Sequence, residues 1–405
     1  MDKRKFTTHD PLEDLLPTKG WLTNYVRFTN GLEACARFRF FTACSVLGAA
    51  INNKVWVNRG DPDLLPKLFP NPWVLLLAPP GRGHKTSTVN MGVNCLIQAC
   101  PEVRILADKL TPESLVKALS SPVGKETLRI GPRDATGLIK APELSVFFGK
   151  QQYNQGLVSL VTDLYDYREL WVSETIMRGK NVLKNNCISV LGASTPDWMH
   201  TMLPGDALQG GFLPRFVIVE MPPTYFKRIA DPQKPTGMHW EDLVIGLRKH
   251  GTVSGEIPWG EGGLDAYRDY YINLIPTGER NLDAYQEREV EQMIRVAMLL
   301  SISQGRFAVE KEDMQRATKL LRCLMEETGP RIDKLTGNPK MVVGQEIKDC
   351  LKQYKSLSRA KLMKRVYRFL TYGEAQFNET LRMLCVMGDI ERVGTSEYKI
   401  KGGEE

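Results

Sequence analysis

The sequence predicts an α/β protein built on a mostly parallel sheet, followed by an all-helical block and a small module of three helices and a hairpin. Three observations lead there. Apolar strand-like runs alternate with helical ones between residues 73 and 191, the pattern of a parallel sheet with helices packed on it. The stretch WVLLLAPPGRGHKTSTV, Trp73 to Val89, runs from a buried-strand pattern through two prolines and two glycines into a segment that continues as a helix. From Met341 the composition changes again, to three amphipathic periods and two β-prone runs.

With 405 residues the chain is long enough for two or three domains. The net charge of +7 and pI near 8.9 are moderate and compatible with a polyanionic partner. The N-terminus MDKRKFTTHD lacks an apolar signal core, and no run approaches the roughly 18 apolar residues of a membrane span, so an intracellular, cytoplasmic protein with no membrane partner is expected. The eight cysteines and five histidines are scattered, without a C-x-x-C pair. Neither a zinc site nor a disulfide framework is predicted, and most thiols are expected to be buried.

Residues 1–20, with Pro11, Pro17 and several charges, read as a loosely held arm. Helical periodicity runs from Trp21 to about Ile51, where FFTACSVLGAAI is small and apolar enough for a core, and Lys54 to Arg59 reads as a short strand. The order of residues 73–89 is what phosphate binding requires. Gly81 and Gly83, between Pro80, Arg82 and His84, let backbone N–H groups close around phosphate oxygens. A helix N-terminus adds partial positive charge, Lys85 supplies a point cation, and the hydroxyls of Thr86 and Ser87 are placed for Mg²⁺ and phosphate. The spacing departs from G-x-x-x-x-G-K-[ST], because Pro79 and His84 stand where that pattern has glycine. The simpler alternative is a strand, a tight Pro-Gly turn and a solvated lysine.

Thr86 to Ala99 reads as a helix on the sheet, and Thr111-Pro112-Glu113 as a capped helix start. Ala135 to Ala141 is a short strand ending at Pro142-Glu143. Ligands of parallel sheets bind beyond the carboxyl ends of the strands, so Glu143 lies near Lys85 if the two strands are adjacent. There it either deprotonates an attacking water or caps the following helix. Two β-prone runs flank Arg178-Gly179-Lys180, a hairpin with a basic tip and Lys184 on its return. It is either a solvated edge or a contact to nucleic-acid phosphates. Cys187 to Leu191 is a buried strand whose continuation carries Ser194 and Thr195 to the same edge as Lys85. Arg215, between apolar residues before the run VIVEM, either pairs with an acid or reaches a phosphate, in a neighbouring subunit for instance. Pro222 to Pro258 reads as a connector with a helix from Trp240 to His250. Leu264 to Leu274, Arg288 to Gln304 and Glu310 to Glu326 are helical, an arrangement that suits a lid. Val343–Tyr354, Ser358–Tyr367 and Glu374–Met387 with the hairpin Ile390–Ile400 make a winged helix-turn-helix pattern, which serves either DNA or protein docking.

LLLAPPGRGHKTST, ADKLTPESLVKAL, KAPELSVFFGKQQYNQGLVSLVTDLYD, the hairpin into ISVLGASTPDW, and GGFLPRF together resemble the P-loop ATPases of phages and mobile elements related to replicative helicases. Over roughly residues 25–325 the set looks like the AAA+ type. GGFLPRF is similar to the arginine-finger segment of minichromosome-maintenance helicases, and REVEQMIRVAMLLS with VEKEDMQRATKLL to their lid. The resemblance implies an AAA+ core at 61–225 behind an N-terminal helical arm or collar at 1–60, a helical lid at 226–335 and a winged helix at 341–405. It further implies ATP and Mg²⁺ on residues 80–87, with Lys85 and Thr86 on phosphate and metal, and Glu143 as catalytic carboxylate. Ser194 or Thr195 becomes the first sensor, Arg215 a finger acting in trans, and Arg288 a lid sensor, with Arg295 as its competitor. Arg178, Lys180 and Lys184 take the place of a pore hairpin on DNA. Pro142 stands where most relatives have an Mg²⁺-ligating aspartate. The implied function is an ATP-dependent DNA helicase of a phage or mobile element, a homo-oligomeric ring, expected as a hexamer, working beside a primase or other replication proteins in the bacterial host's cytoplasm. The alternatives are a DNA-binding ATP switch, such as a helicase loader or transposition regulator, and a non-hydrolysing DNA-binding scaffold.

Overall fold

The computed structural model of the chain describes residues 6–106, 109–120, 134–148, 155–175, 179–202, 211–336, 339–367, 370, 373–393 and 397–401. In chain order these form α1 (Trp21–Phe28), α2 (Ala36–Ile51), β1 (Val55–Trp56), β2 (Trp73–Leu77), α3 (Lys85–Ala99), β3 (Ile105–Leu106), α4 (Pro112–Ser120), β4 (Thr136–Ala141), α5 (Leu144–Phe148) and α6 (Gln155–Asp163). The hairpin β5 (Leu170–Thr175) and β6 (Gly179–Lys184) follows, then β7 (Cys187–Ser194), α7 (Pro196–Met202), β8 (Phe216–Glu220), α8 (Trp240–His250), β9 (Gly255–Glu256), α9 (Gly263–Ile272), α10 (Arg280–Ser303) and α11 (Lys311–Thr336). The chain ends with α12 (Pro339–Tyr354), β10 (Ser356–Ser358), α13 (Arg359–Val366), α14 (Gly373–Met387), β11 (Ile390–Val393) and β12 (Glu397–Ile400).

The central sheet is parallel and five-stranded, in the order β3-β4-β7-β2-β8. β2 and β4 are therefore not neighbours, contrary to the simplest expectation. The run CISVLGAS of β7 is buried along its whole length and pairs with both. Alternate residues of β2 serve two faces. Val74, Leu76 and Ala78 share a core with Val46 and Leu47 of α2, whereas Trp73 packs against the rings of Tyr165 and Phe216, at 4.9 and 5.2 Å between centroids.

All sixteen residues of α2 are buried, two arginines included. The Arg37 guanidinium is met by Asp10 at 2.9 Å and Glu327 at 2.7 Å, and it donates to the Glu220 carbonyl at 3.2 Å. Arg39 donates to the carbonyls of Ala34 and Val26. A buried charge is tolerable only with such partners. Asp10 is itself fully buried and accepts from the Leu12 amide at the start of a short 3₁₀ turn, Pro11–Leu15. The expected loose arm is thus tied down at Asp10 by the counter-charge that Arg37 requires.

Packing divides the chain into one unit of residues 1–196 and 210–330 and a second of 197–209 and 331–405. In the first, α1, α2, α8, α10 and α11 share one hydrophobic core with the sheet, so no break in packing falls near residues 60 or 225. α10 begins eight residues before the expected Arg288, because the Asp283 carboxylate accepts from the Thr277 hydroxyl and from the Thr277 and Gly278 amides, fixing the loop to the first turn. Tyr285, Gln292 and Arg295 of α10 donate to the carbonyls of Leu213, Pro214 and Asn71, which precede β8 and β2. The helix expected to open a lid thus lies along the amino edge of the sheet.

In the second unit, α12, α13 and α14 enclose a core of Val343, Ile347, Leu362, Val366, Phe377 and Leu381 beside an antiparallel sheet of order β10-β12-β11. β10, unforeseen, is three residues long, too short for a period to show. Among the described residues no helix is long and apolar enough to cross a membrane.

Candidate phosphate-binding site

β2 ends at Leu77, and the chain turns through residues 78–84 into α3. Gly81, Gly83 and His84 have φ values of 68°, 75° and 46°. Such left-handed residues curl successive N–H groups around a concavity suited to an anion. A Cβ at Gly83 would meet Ala78, Phe38 and Met221 at 3.1–3.2 Å on a left-handed backbone, so the position favours glycine. His84 adopts the left-handed form at a cost of roughly 1–2 kcal/mol. Its ring lies 2.8 Å from the Glu33 carboxylate, which also accepts from the Ile229 amide at 3.0 Å and faces Arg228 at 3.2 Å. The Ile229 amide, and after it His84, holds the Glu33 carboxyl below the usual range.

Lys85 is buried at 9% exposure and donates to the carbonyls of Ala78 at 2.8 Å and Pro79 at 3.3 Å. Burial lowers its pKa, and the charge of Glu143 pulls it back up. Glu143 follows β4, with β7 standing between it and β2, and the carbonyl of the last residue of β7, Ser194, accepts the Ala78 amide at 3.4 Å. Carboxylate, hydroxyls and lysine therefore share the carboxyl edge of the sheet. The Glu143 side chain accepts from the Ser145 hydroxyl at 3.0 Å, and its carbonyl accepts the Val146 and Phe147 amides, so it also starts α5. Ser194 is fully buried with Oγ 3.5 Å from the Thr195 carbonyl oxygen, while Thr195 is half-buried. Thr86 and Ser87 are exposed on the first turn of α3, where amides lack intrahelical acceptors. Among the described residues no cluster of three His, Cys, Asp or Glu could hold a metal. Thr86 offers one exposed hydroxyl at this edge; Mg²⁺, which keeps several waters and shares phosphate oxygens, would need few protein ligands here.

Arg215 and Arg288 lie elsewhere. Arg215 precedes Phe216, which pairs with Trp73, the first residue of β2. It is thus about 16 Å, the length of a five-residue strand, from the loop edge. It donates to the Gly211 carbonyl at 2.7 Å and sits 3.5 Å from Asp166, which Arg288 meets at 3.6 Å. Arg215, Arg288 and Arg295 surround the Tyr165 ring at 5.2, 5.8 and 4.4 Å. Burial and the neighbouring Arg288 push the Arg215 pKa down. Arg288 stands more than two turns inside α10 and does not face the phosphate loop of its own chain. The hairpin forms, with Thr175 paired to Gly179 and Leu170 to an exposed Lys184. Residues 176–178, and so Arg178, lie outside the described residues, as does the Lys180 side chain.

Sequence reading missed Glu33 and the segment YFKRI, residues 225–229, which it took for connector. Arg82 donates to the Tyr225 carbonyl at 3.0 Å and lies over the Phe226 ring. An aromatic and basic cluster directly after the last strand was the available signal. No protein-family model matches the chain, and no curated protein matches it. Its fold and site define a mixed α/β protein with an anion-shaped loop at the carboxyl edge of a five-stranded parallel sheet.

Proposed function

We propose that the chain is an ATP-dependent DNA translocase of the AAA+ type, a ring-forming helicase of phage or mobile-element replication. The observation that carries the reading is the convergence of Lys85, Glu143 and Thr195 on one sheet edge, with the Glu143 charge reaching the lysine. In this reading Lys85 and the amides of residues 83–86 hold the phosphates, and Mg²⁺ would supply charge neutralisation beside Thr86. Glu143 accepts a proton from water as the water oxygen bonds to the γ-phosphorus and the β–γ bridging oxygen departs with ADP. Arg215 and Arg288, on the opposite edge, act on a nucleotide held by the next subunit. The order helix-strand-helix-helix-strand-strand in the second unit supports a winged helix, and the β5–β6 hairpin is the strand-contacting element.

Pro142 favours a second reading, an ATP switch that loads or regulates without unwinding, because the position before Glu143 offers Mg²⁺ no carboxylate. Hydrolysis measured with and without single-stranded DNA, together with the mass of the assembly, tests the first. DNA-stimulated turnover that Glu143→Gln and Arg215→Ala both abolish, in a ring-sized particle, is expected. A monomer without turnover sinks it. Turnover without displacement of a strand from a forked duplex leaves the switch.

A further inference from the structure

We infer that the second unit holds nucleic-acid phosphates on α13 and the end of α12, and not on α14; this rests on the DNA-binding part of the reading above. Between Cys350 and Gly373 the chain carries seven lysines and arginines and no aspartate or glutamate. A merely solvated surface mixes both signs. The fold gathers several of these charges. Lys361, Lys364 and Arg365, spaced i, i+3 and i+4, share one exposed face of α13. Arg365 donates to the Tyr354 hydroxyl at 3.1 Å and stacks 3.9 Å over its ring, joining that face to the end of α12, where Lys352 and Lys355 are exposed. The described ion pairs of this unit engage Lys348, Lys399 and, on α13 itself, Arg359, which pairs with Glu374; Lys361, Lys364 and Arg365 are left for an external anion.

α14 is the opposite in character. In a helix-turn-helix the second helix of the pair enters the major groove. Here that helix exposes Glu374 and Asn378, both engaged by Arg359, then Glu379, one arginine, Arg382, and Met383, Val386 and Met387, the last two at 80% and 66% exposure. Carboxylates repel phosphate, and methionine and valine read no hydrogen-bonding base edge. Contacts made through α13 fall on the backbone, so binding is independent of sequence.

The test is anisotropy of the full chain with labelled duplexes of two unrelated sequences and a single strand of equal length, across a salt series. Lys352, Lys361 and Lys364 are replaced together by alanine, all exposed positions. The expected result is a roughly tenfold or greater loss of affinity, equal for both sequences, with the slope of log K against log salt shallower by about two to three. Arg382→Ala and Met387→Ala, on α14, are expected to change neither. Wild-type binding that survives the triple substitution overturns the inference, and loss on Lys184→Ala then assigns the DNA reading to the hairpin alone. Equal losses from Arg382→Ala also overturn it, in favour of α14. Equally tight binding of polyglutamate, lost in the triple variant, replaces nucleic acid with an acidic protein partner. If the wild type binds neither duplex nor strand, the DNA reading falls with it, while nucleotide binding at Lys85 stands or falls on its own assay.

Discussion

At Lys85, binding chemistry and stability oppose each other. Burial lowers the pKa of its ammonium, with Glu143 opposing. A lysine whose pKa falls on folding costs stability wherever it is charged, that is, below its folded pKa, and the cost disappears as pH rises through the unfolded value. An anion at the loop relieves that cost. Lys85→Met is therefore expected to unfold at the same temperature as wild type or higher. It should also lack the rise in melting temperature expected of wild type with MgATP, a stabilisation of about 2.7 kcal/mol at a hundred times Kd. A variant that still responds to MgATP removes Lys85 from the site. His84 was visible as a departure from the usual spacing, but its reason was not, because Glu33 is 51 positions away. A contact of that separation leaves no period or spacing in the chain.

At the scale of elements, the direction of α3 is set by how closely it approaches α2. A Cβ at Gly92 would lie 2.5 Å from the Thr42 methyl and 3.1 Å from a Val46 methyl. Alanine there gains about 0.8–1 kcal/mol of helix propensity, whereas overpacking costs about 1–3 kcal/mol, so the clash is expected to win. Gly92→Ala should lower the denaturation midpoint and weaken MgATP binding together, since α3 carries Lys85. An unchanged midpoint would mean that the interface yields and that α2 does not fix the loop. β2, α3, β4 and β7 were legible because each is a strong apolar period bounded by proline, glycine or a cap. β10 and the eight-residue advance of α10 were not, the first for its length and the second because a polar turn held by Asp283 looks like loop.

At the scale of the whole molecule, Lys85 and Arg215 lie at opposite ends of the sheet, so one chain cannot bring both to one nucleotide. A head-to-tail ring can. Lys85→Ala and Arg215→Ala are each expected to be inactive alone. Mixed in equal amounts, they should recover turnover at about one quarter of interfaces, where an intact Lys85 meets an intact Arg215. No recovery in mixed assemblies would end the trans assignment, and activity of Arg215→Ala alone would make its pairing with Asp166 structural.

By itself the sequence determined the α/β class, the loop-bearing strand and its helix, the hairpin and the three helices of the second unit. Each is written in local periodicity and turn chemistry, which act over a few residues. Tertiary structure alone decided that β7 stands between the strands of Lys85 and Glu143, that Arg37 ties Asp10 to Glu327, and that Arg215 and Arg288 gather around Tyr165. These depend on strand order and on satisfying buried charge, and both are settled only when distant segments compete for the same partners.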